Sequence, residues 1–362
     1  MTAMPDCCHV VVMGGGPAGC VTAMLLARAG CSVVVVDKCR TGGFCVGETL
    51  SPKASRIIAN LGLSEAFRAQ GHRASPGIVS VWGDAEPLAT DFLFSPWGCG
   101  WHIDRSKFNA MLLEAAINAG AAFSGETEVT ACVEEHHGWY LSLARQNLSR
   151  TLKCSLVVDA RGRCSPAVFG FPRGTKMDRL VAVAGLSAPA PGTCLSDYTL
   201  VEAVDEGWFY SAMLPRGDYI VAYMTDADLY AAGRQRSNAF LADQISKAPH
   251  TQERIDRVPA ALTLYSAITT LRDTVIRRNW IAVGDAARSY DPLSGLGLWT
   301  AMKTASDAAP VIMAMLDGNL TDAIEYESAN REAFALYLKA YRTHYGRERR
   351  WPQSKFWARR QL

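Results

Sequence analysis

The stretch HVVVMGGGPAGCVTAMLLARAGCSVVVVDK, residues 9–38, leaves this chain little freedom in how it can fold. A run of buried-type residues, Val10 to Met13, reads as a strand and feeds Gly14-x-Gly16-x-x-Gly19. Small and apolar residues at helical spacing follow (Ala23, Leu26, Ala27), and then a second strand, Cys31 to Val36, ending in Asp37. Gly14 permits the tight turn, Gly16 lets backbone approach a pyrophosphate, and Gly19 lets helix and strand pack closely. A diphosphate is expected at the helix N-terminus, where free N–H groups and the helix dipole favour anions. Asp37 stands at the spacing for a ribose diol. A glycine pattern alone is weak, but strand, turn, helix, strand and acid in register predict a dinucleotide site. Gly14, Gly16, Pro17, Ala18, Gly19, Asp37 and Lys38 are its candidate contacts.

The far end of the chain narrows the ligand. NWIAVGDAARSYDPLSGLGLWTAMKTASDAA, residues 279–309, reads as a strand (Trp280 to Val283), the pair Gly284-Asp285, a glycine-bearing turn and a helix rich in small residues. This GDAA box resembles the flavoprotein hydroxylases, in which the aspartate meets the ribityl-phosphate region of FAD. The resemblance implies that Pro292, Ser294, Gly295, Leu296 and Gly297 bring backbone N–H groups and a helix start beside the flavin ring, where a dipole stabilises negative charge. Two further boxes resemble the same group. LVVDARGRCS (156–165) places Asp159 at a strand end, and WHIDRSKFNAMLLEAA (101–116) supplies Arg105 for the phosphate or ribose side. Val129 completes the expected FAD contacts. Trp299 stands where many hydroxylases carry asparagine, a departure that bears on the mobility of the flavin ring.

Composition excludes several other classes. The net charge of +2 over 362 residues gives no global case for a nucleic-acid binder, and no run of eighteen apolar residues suggests a membrane span. The N-terminal residues read directly into a strand, without the parts of a secretory signal. Eleven cysteines without paired C-x2-C units argue against zinc and for reduced thiols, hence a cytoplasmic protein with no metal. The expected fold is α/β: a glutathione-reductase-type, Rossmann-like FAD domain with an inserted β-rich substrate domain and a C-terminal helical tail. We expect residues 1–75, 98–177 and 266–330 to form the FAD domain, 76–97 and 178–265 the substrate domain, and 331–362 the helical segment.

TGGFCVGETLSPK, residues 41–53, poses a choice. A Gly-Gly-x-Cys run after a nucleotide-binding strand suggests a redox dithiol. Cys45 has no partner a few residues on, where Glu48, Thr49 and Leu50 stand, and no second nucleotide fingerprint follows. The loop instead resembles the GE(S/T)-x-x-P loop of flavin-dependent halogenases and related monooxygenases, which implies that Gly47, Glu48 and Thr49 border the flavin. Pro52 fits the first turn of the next helix.

Within that superfamily the halogenase branch fits less well. Ser75 occupies the position of its hypohalous-acid lysine, and GWFYSAMLPRG (207–217) lacks the second tryptophan and the Ile-Pro of its W-x-W-x-I-P box. The boxes GETLSP, GWHIDRSKFNAML, GWFYSAMLP and DPLSGLGL, with the tail RERRWPQSKFW, resemble the LodB-like flavoproteins that mature quinoprotein oxidases. The resemblance implies an FAD-dependent monooxygenase. It hydroxylates an aromatic ring through a C4a-hydroperoxyflavin, the ring being a tryptophan of a partner precursor on the way to cysteine tryptophylquinone. Electrons come from NAD(P)H or a flavin reductase. The alternatives are a flavin halogenase, a small-molecule aromatic hydroxylase, or a non-catalytic chaperone stabilised by FAD.

The candidate catalytic residues are Glu48, His72, Trp101, Tyr210 and Ser294, with Trp97, His102 and Trp208 in the same boxes. His72 suits a base or a donor to peroxide, though such a histidine is more often a satisfied core residue. The tail carries Arg342, Arg347, Arg349, Arg350, Lys355, Arg359 and Arg360 against Glu348. It reads either as a docking surface for an acidic partner or as a solvated helix with an aromatic underside.

Overall fold

Val10, Val11, Val12 and Met13 are sealed from solvent on every side, as expected of a central parallel strand that alternates with nothing polar. The structure, a computed structural model, describes residues 5–38, 47–135, 138–146, 148–164, 170–192, 196–236 and 239–361. The first strand, β1 (Cys7–Met13), pairs in parallel with β2 (Val33–Val36) on one side and with Leu148–Asp159 on the other. Ala122–Ser124 extends the sheet beyond β2, and Trp280–Ala282 extends it beyond Leu148–Asp159, both in parallel. Met13 is in register with both Val36 and Asp159, so the carboxyl ends of three strands meet at one edge. Open α/β sheets bind their ligands at this edge. A meander of Glu128–Glu135 and Gly138–Arg145 runs antiparallel onto Leu148–Asp159.

The helix α1 (Pro17–Arg28) connects β1 to β2 and packs against two others, Arg105–Asn118 and Gly297–Leu316. Its facing residues are small: Ala18, Cys20 and Ala23 are buried, which lets the helices come close.

A second sheet of seven strands runs in the order Thr263–Ser266, Leu180–Ser187, Tyr219–Asp226, Gly207–Met213, Thr199–Val204, Gly77–Val81, Leu88–Asp91. Only the Thr199–Val204 and Gly77–Val81 pair is parallel. Tyr219–Asp226 is buried along its whole length because both faces are covered. One face packs Ala182, Trp208, Ile220 and Ala222 against Tyr345, Phe356 and Trp357 from the tail, and the other packs Phe209 and Tyr223 against Phe240. A small sheet ties the two parts together: Gly100–His102 lies between Thr49–Leu50 and Arg73–Ser75.

The tail begins as a single helix, Thr321–Tyr345, followed by a short one, Lys355–Ala358. Its basic residues are partly used inside the molecule. Arg350 pairs with Glu348, Arg359 with Asp226 and Asp228, and Arg360 with Asp226 at 2.6 Å. The aromatic underside is core rather than a wet face. No helix among the described residues is long and apolar enough to cross a membrane.

Candidate cofactor and active site

Backbone at the end of β1 can adopt its path only with glycine. Gly14 has φ +110°, and a side-chain carbon there would lie 2.4 Å from the carbonyl oxygen of Ala160. A carbon on Gly19 would lie 1.9 Å from the carbonyl oxygen of Gly14, so α1 can sit this close to the turn only without one. At Gly16 the same carbon would meet nothing, because that position faces an open cavity. Pro17 opens α1, and no acidic residue occupies its first turn, which leaves the amide end positive. The Gly15 amide donates to the Asp37 carboxylate and fixes that side chain at the end of β2. Gly14→Ala is expected to cost about 1–3 kcal/mol from the backbone conformation alone. The collision with Ala160 adds to that cost. Thermal melting and a flavin titration should show both lower stability and weaker cofactor binding.

The cavity measures about 870 Å3 and runs from this turn to the face of the second sheet. Gly14, Gly16, Pro17, Ala18, Asp37 and Lys38 line it from the fingerprint, and Gly47, Glu48 and Thr49 from the GE loop. Arg105, Val129, Asp285, Pro292, Gly295 and Gly297 complete the expected cofactor contacts on the wall. The far wall is apolar and aromatic: Ile78, Trp208, Tyr210, Ile220, Met224 and Tyr265.

Other expected residues lie behind the wall. Gly19 packs α1 against the turn. Gly284 donates its amide to Thr304 Oγ1 at 2.7 Å. Ser294 donates to the Asp291 carbonyl at 2.8 Å, and Leu296 sits at the start of Gly297–Leu316, its amide donating to Ser294 Oγ. Asp159 is fully buried, and its carboxylate accepts from Arg161 Nε and Nη2 and from Arg272 Nη1, each at 3.0 Å. It is a strut between two arginines. His72 is off the cavity: its ring packs between Phe67 and Phe108, and Nδ1 accepts from the Asp104 amide at 3.3 Å. Burial lowers its pKa to about 4, so it is neutral at physiological pH. Trp101 packs edge-on against Phe67, also away from the cavity wall. Cys45 lies outside the described residues.

Sequence reasoning passed over Arg163, which donates to Asp285 Oδ2 at 2.9 Å and to the Tyr290 carbonyl at 2.7 Å. It stands in the DARGRCS box, but nothing local shows that it turns toward Asp285. Asp291 and Tyr290 were missed as well, and both line the cavity.

Glu48 has the most altered chemistry of the wall. It is 3% exposed and accepts from the Gly47 amide at 2.9 Å through Oε2. Burial pushes its pKa up to about 7, against the opposing pull of that amide and the Arg105 guanidinium. Tyr210 and Thr49 share a short hydrogen bond between their hydroxyls. Burial, and then the Glu48 charge, hold the Tyr210 phenol well above its ordinary pKa, so it stays protonated. His102 is buried behind them with Nε2 2.9 Å from Thr199 Oγ1, and burial lowers its pKa to about 4.

These features fit FAD. Gly16, Gly295 and Gly297 leave open space where side chains would intrude. Arg163 Nη1 and Glu48 Oε1 are buried on the wall without hydrogen-bond partners among the described residues, as polar atoms awaiting a ligand are.

A glycine turn, a ribose-side acid and a cavity reaching an aromatic sheet define a flavin-binding oxidoreductase. The chain belongs to the FAD-binding-domain family, whose sequence model matches residues 7–336. It is 26% identical over 359 residues to LodB of Marinomonas mediterranea, described as an FAD-dependent oxidoreductase, covering 97% of this chain and 96% of that protein. The structure of the myxobacterial chondrochloren halogenase CndH superposes with a TM-score of 0.89 at 21% identity, over 99% of this chain and 86% of that one. That of QhpG, a peptidyl tryptophan dihydroxylase essential for tryptophylquinone cofactor biogenesis, superposes with a TM-score of 0.74 at 26% identity, over 98% and 78%. Several flavin-dependent halogenases are also similar, and the chain spans 66–67% of their length.

Proposed function

We propose that this enzyme hydroxylates an aromatic ring, namely a tryptophan side chain of a partner protein during quinone-cofactor biogenesis. The observation that carries the reading is the chemistry of the cavity wall. Its one lysine among the described residues is Lys38, at the ribose end beside Asp37. Ser75, at the position of the halogenase lysine, is buried and donates to the Gly77 carbonyl. A wall of Trp208, Tyr210, Ile220, Met224 and Tyr265 instead suits an electron-rich ring and excludes water. LodB-like similarity over nearly the whole chain supports the same branch.

FAD, reduced by NAD(P)H or a flavin reductase, supplies activated oxygen when bound. The chain's own residues do the rest. The fingerprint glycines, Asp37, Arg105 and Asp285 hold the nucleotide, and residues 76–97 and 178–265 build the substrate side. Glu48, on the cavity wall and with its pKa of about 7, can hold or release a proton. Tyr210, fixed by Thr49, orients the ring.

The test uses FAD-loaded enzyme, a reductant, air and a tryptophan-containing precursor polypeptide, read by mass spectrometry with and without bromide. Added oxygen on a tryptophan supports the reading. Halogen incorporation replaces it with the halogenase alternative. Oxygenation of free indole or phenol but not of the polypeptide replaces it with a small-molecule hydroxylase.

A further inference from the structure

Two rings of the cavity wall, Trp208 and Tyr290, are also the ends of a continuous aromatic file that leaves the site. From Trp208 the file runs to Trp82, centroids 6.3 Å apart, to Trp357 at 5.1 Å, and to Trp351 at 6.0 Å. From Tyr290 it runs to Tyr337 at 4.2 Å, Tyr341 at 5.9 Å and Tyr345 at 4.5 Å. Tyr345 joins the two branches, 5.4 Å from Trp82 and 5.9 Å from Trp357. Trp208 and Trp357 are buried, whereas Trp351 is only half-buried, so the file connects the cavity to solvent. Packing alone accounts for adjacent rings. It does not account for the polar fittings. Trp208 Nε1 donates to the Tyr345 hydroxyl at 3.0 Å, and that hydroxyl donates to Asp291 Oδ2 at 2.8 Å. Asp291 is itself buried on the cavity wall. A tyrosine that loses an electron must lose its proton as well, and here a carboxylate stands ready to receive it. Two of the cations over the rings are balanced, Arg360, near Tyr345, by Asp226, and Arg350, over Trp351, by Glu348, while Arg288, over Tyr290, donates to the Tyr290 hydroxyl and to Asn330 Oδ1.

We propose that this file conducts oxidising equivalents out of the cavity and so protects its wall. An oxygen-centred radical, formed when reduced cofactor meets O2 without substrate, takes one electron from Trp208, and the oxyanion so formed takes a proton from water. The vacancy passes ring to ring toward Trp351, and when it rests on Tyr345 the phenolic proton moves to Asp291. A small reductant in solvent, a thiol or ascorbate, supplies the closing electron at Trp351, and the proton returns to Tyr345. The inference rests on FAD binding and does not depend on which substrate the enzyme takes.

The test cycles FAD-loaded protein between dithionite and air without substrate, in the presence of catalase. Isotope-labelled apoprotein is mixed in as a bystander, and oxidised residues are mapped by peptide mass spectrometry. The wild type should carry its oxidation at Trp351, in the loaded copies only. Trp357→Phe, checked by melting and by flavin titration, should lose the Trp351 adduct and gain adducts at Trp208, Tyr290 or Met224, whereas Tyr345→Phe, which leaves the route through Trp82 and Trp357 intact, should keep the Trp351 adduct and gain adducts on the tyrosine branch at Tyr290 or Tyr337. Should either variant fail to fold, Trp351→Phe at the half-exposed end is read for the same redistribution. A blue-light flash on the oxidised holoprotein should give an aromatic radical that decays faster in Trp357→Phe. Equal Trp351 oxidation in the bystander, or an unchanged adduct pattern and radical lifetime in the variants, would overturn the proposal and leave FAD binding untouched.

Discussion

Asp159→Ala should destabilise the protein by about 3–5 kcal/mol, the loss expected when one member of a buried ion pair is removed. Asp159 ends a central strand, fully buried, and receives three guanidinium hydrogen bonds, two from Arg161 and one from Arg272. Arg272 is itself buried and lies over the Trp280 ring at 5.2 Å. Burial weakens its hold on its proton, and the Asp159 carboxylate opposes that effect in part. Because Arg161 also lines the cavity, flavin affinity should fall with stability. Urea unfolding followed by far-UV circular dichroism measures the first effect, and a flavin titration measures the second. Replacing both partners by apolar residues, Asp159→Leu with Arg272→Met, should recover part of the loss, because desolvation of the charges is then avoided. A single Asp159→Ala change costing under about 1 kcal/mol, the worth of an exposed pair, would show that the strut is not needed.

How much of this was legible in the chain depended on how local the cause was. The turn after β1 was readable because Gly14 and Gly19 answer to steric demands set within a few residues, and those demands permit no other side chain. The same holds for β1 and β2, whose unbroken valines can serve only a strand buried on both faces. The Rossmann-like sheet, the β-rich layer and the helical tail were legible as a class for that reason. What escaped was long-range pairing. Thr49 and Tyr210 are 161 residues apart, and Arg163 and Asp285 are 122 apart, and no pattern in either segment announces its partner. His72 shows the converse error. A histidine beside an arginine in a flavin-bordering segment suggests chemistry, yet its ring fills space between two phenylalanines. The seven basic residues of the tail likewise suggested a surface, whereas three of them lie over Asp226, Asp228 and Glu348 and help seal the aromatic core beneath.

Glu48→Gln should change how the stability of the apoprotein depends on pH. The Glu48 carboxyl is pushed from its ordinary 4.5 to about 7, chiefly by burial. Between those values the folded protein retains a proton that the unfolded chain has released, so this residue makes stability fall as pH rises through the interval. Over about 2.5 pH units the cost reaches on the order of 3 kcal/mol, and it is fully present above pH 7. His102 acts in the opposite sense. Its pKa is lowered to about 4, so its contribution is present above the ordinary 6.5 and is lost as pH falls toward 4. The wild-type curve is therefore a sum of opposed slopes, and only a difference isolates Glu48. Subtracting wild type from Glu48→Gln cancels the histidines, which both proteins share. That difference should be flat below pH 4.5, climb in favour of the variant up to about pH 7, and then level off. Urea midpoints at half-unit pH intervals give the curve directly. A difference that is flat throughout would mean that the carboxyl is solvated after all and is not the ionisable group poised at the cavity. If the climb appears, FAD-loaded Glu48→Gln should also lose whatever rate transition the wild type displays near pH 7, linking the buried proton to turnover.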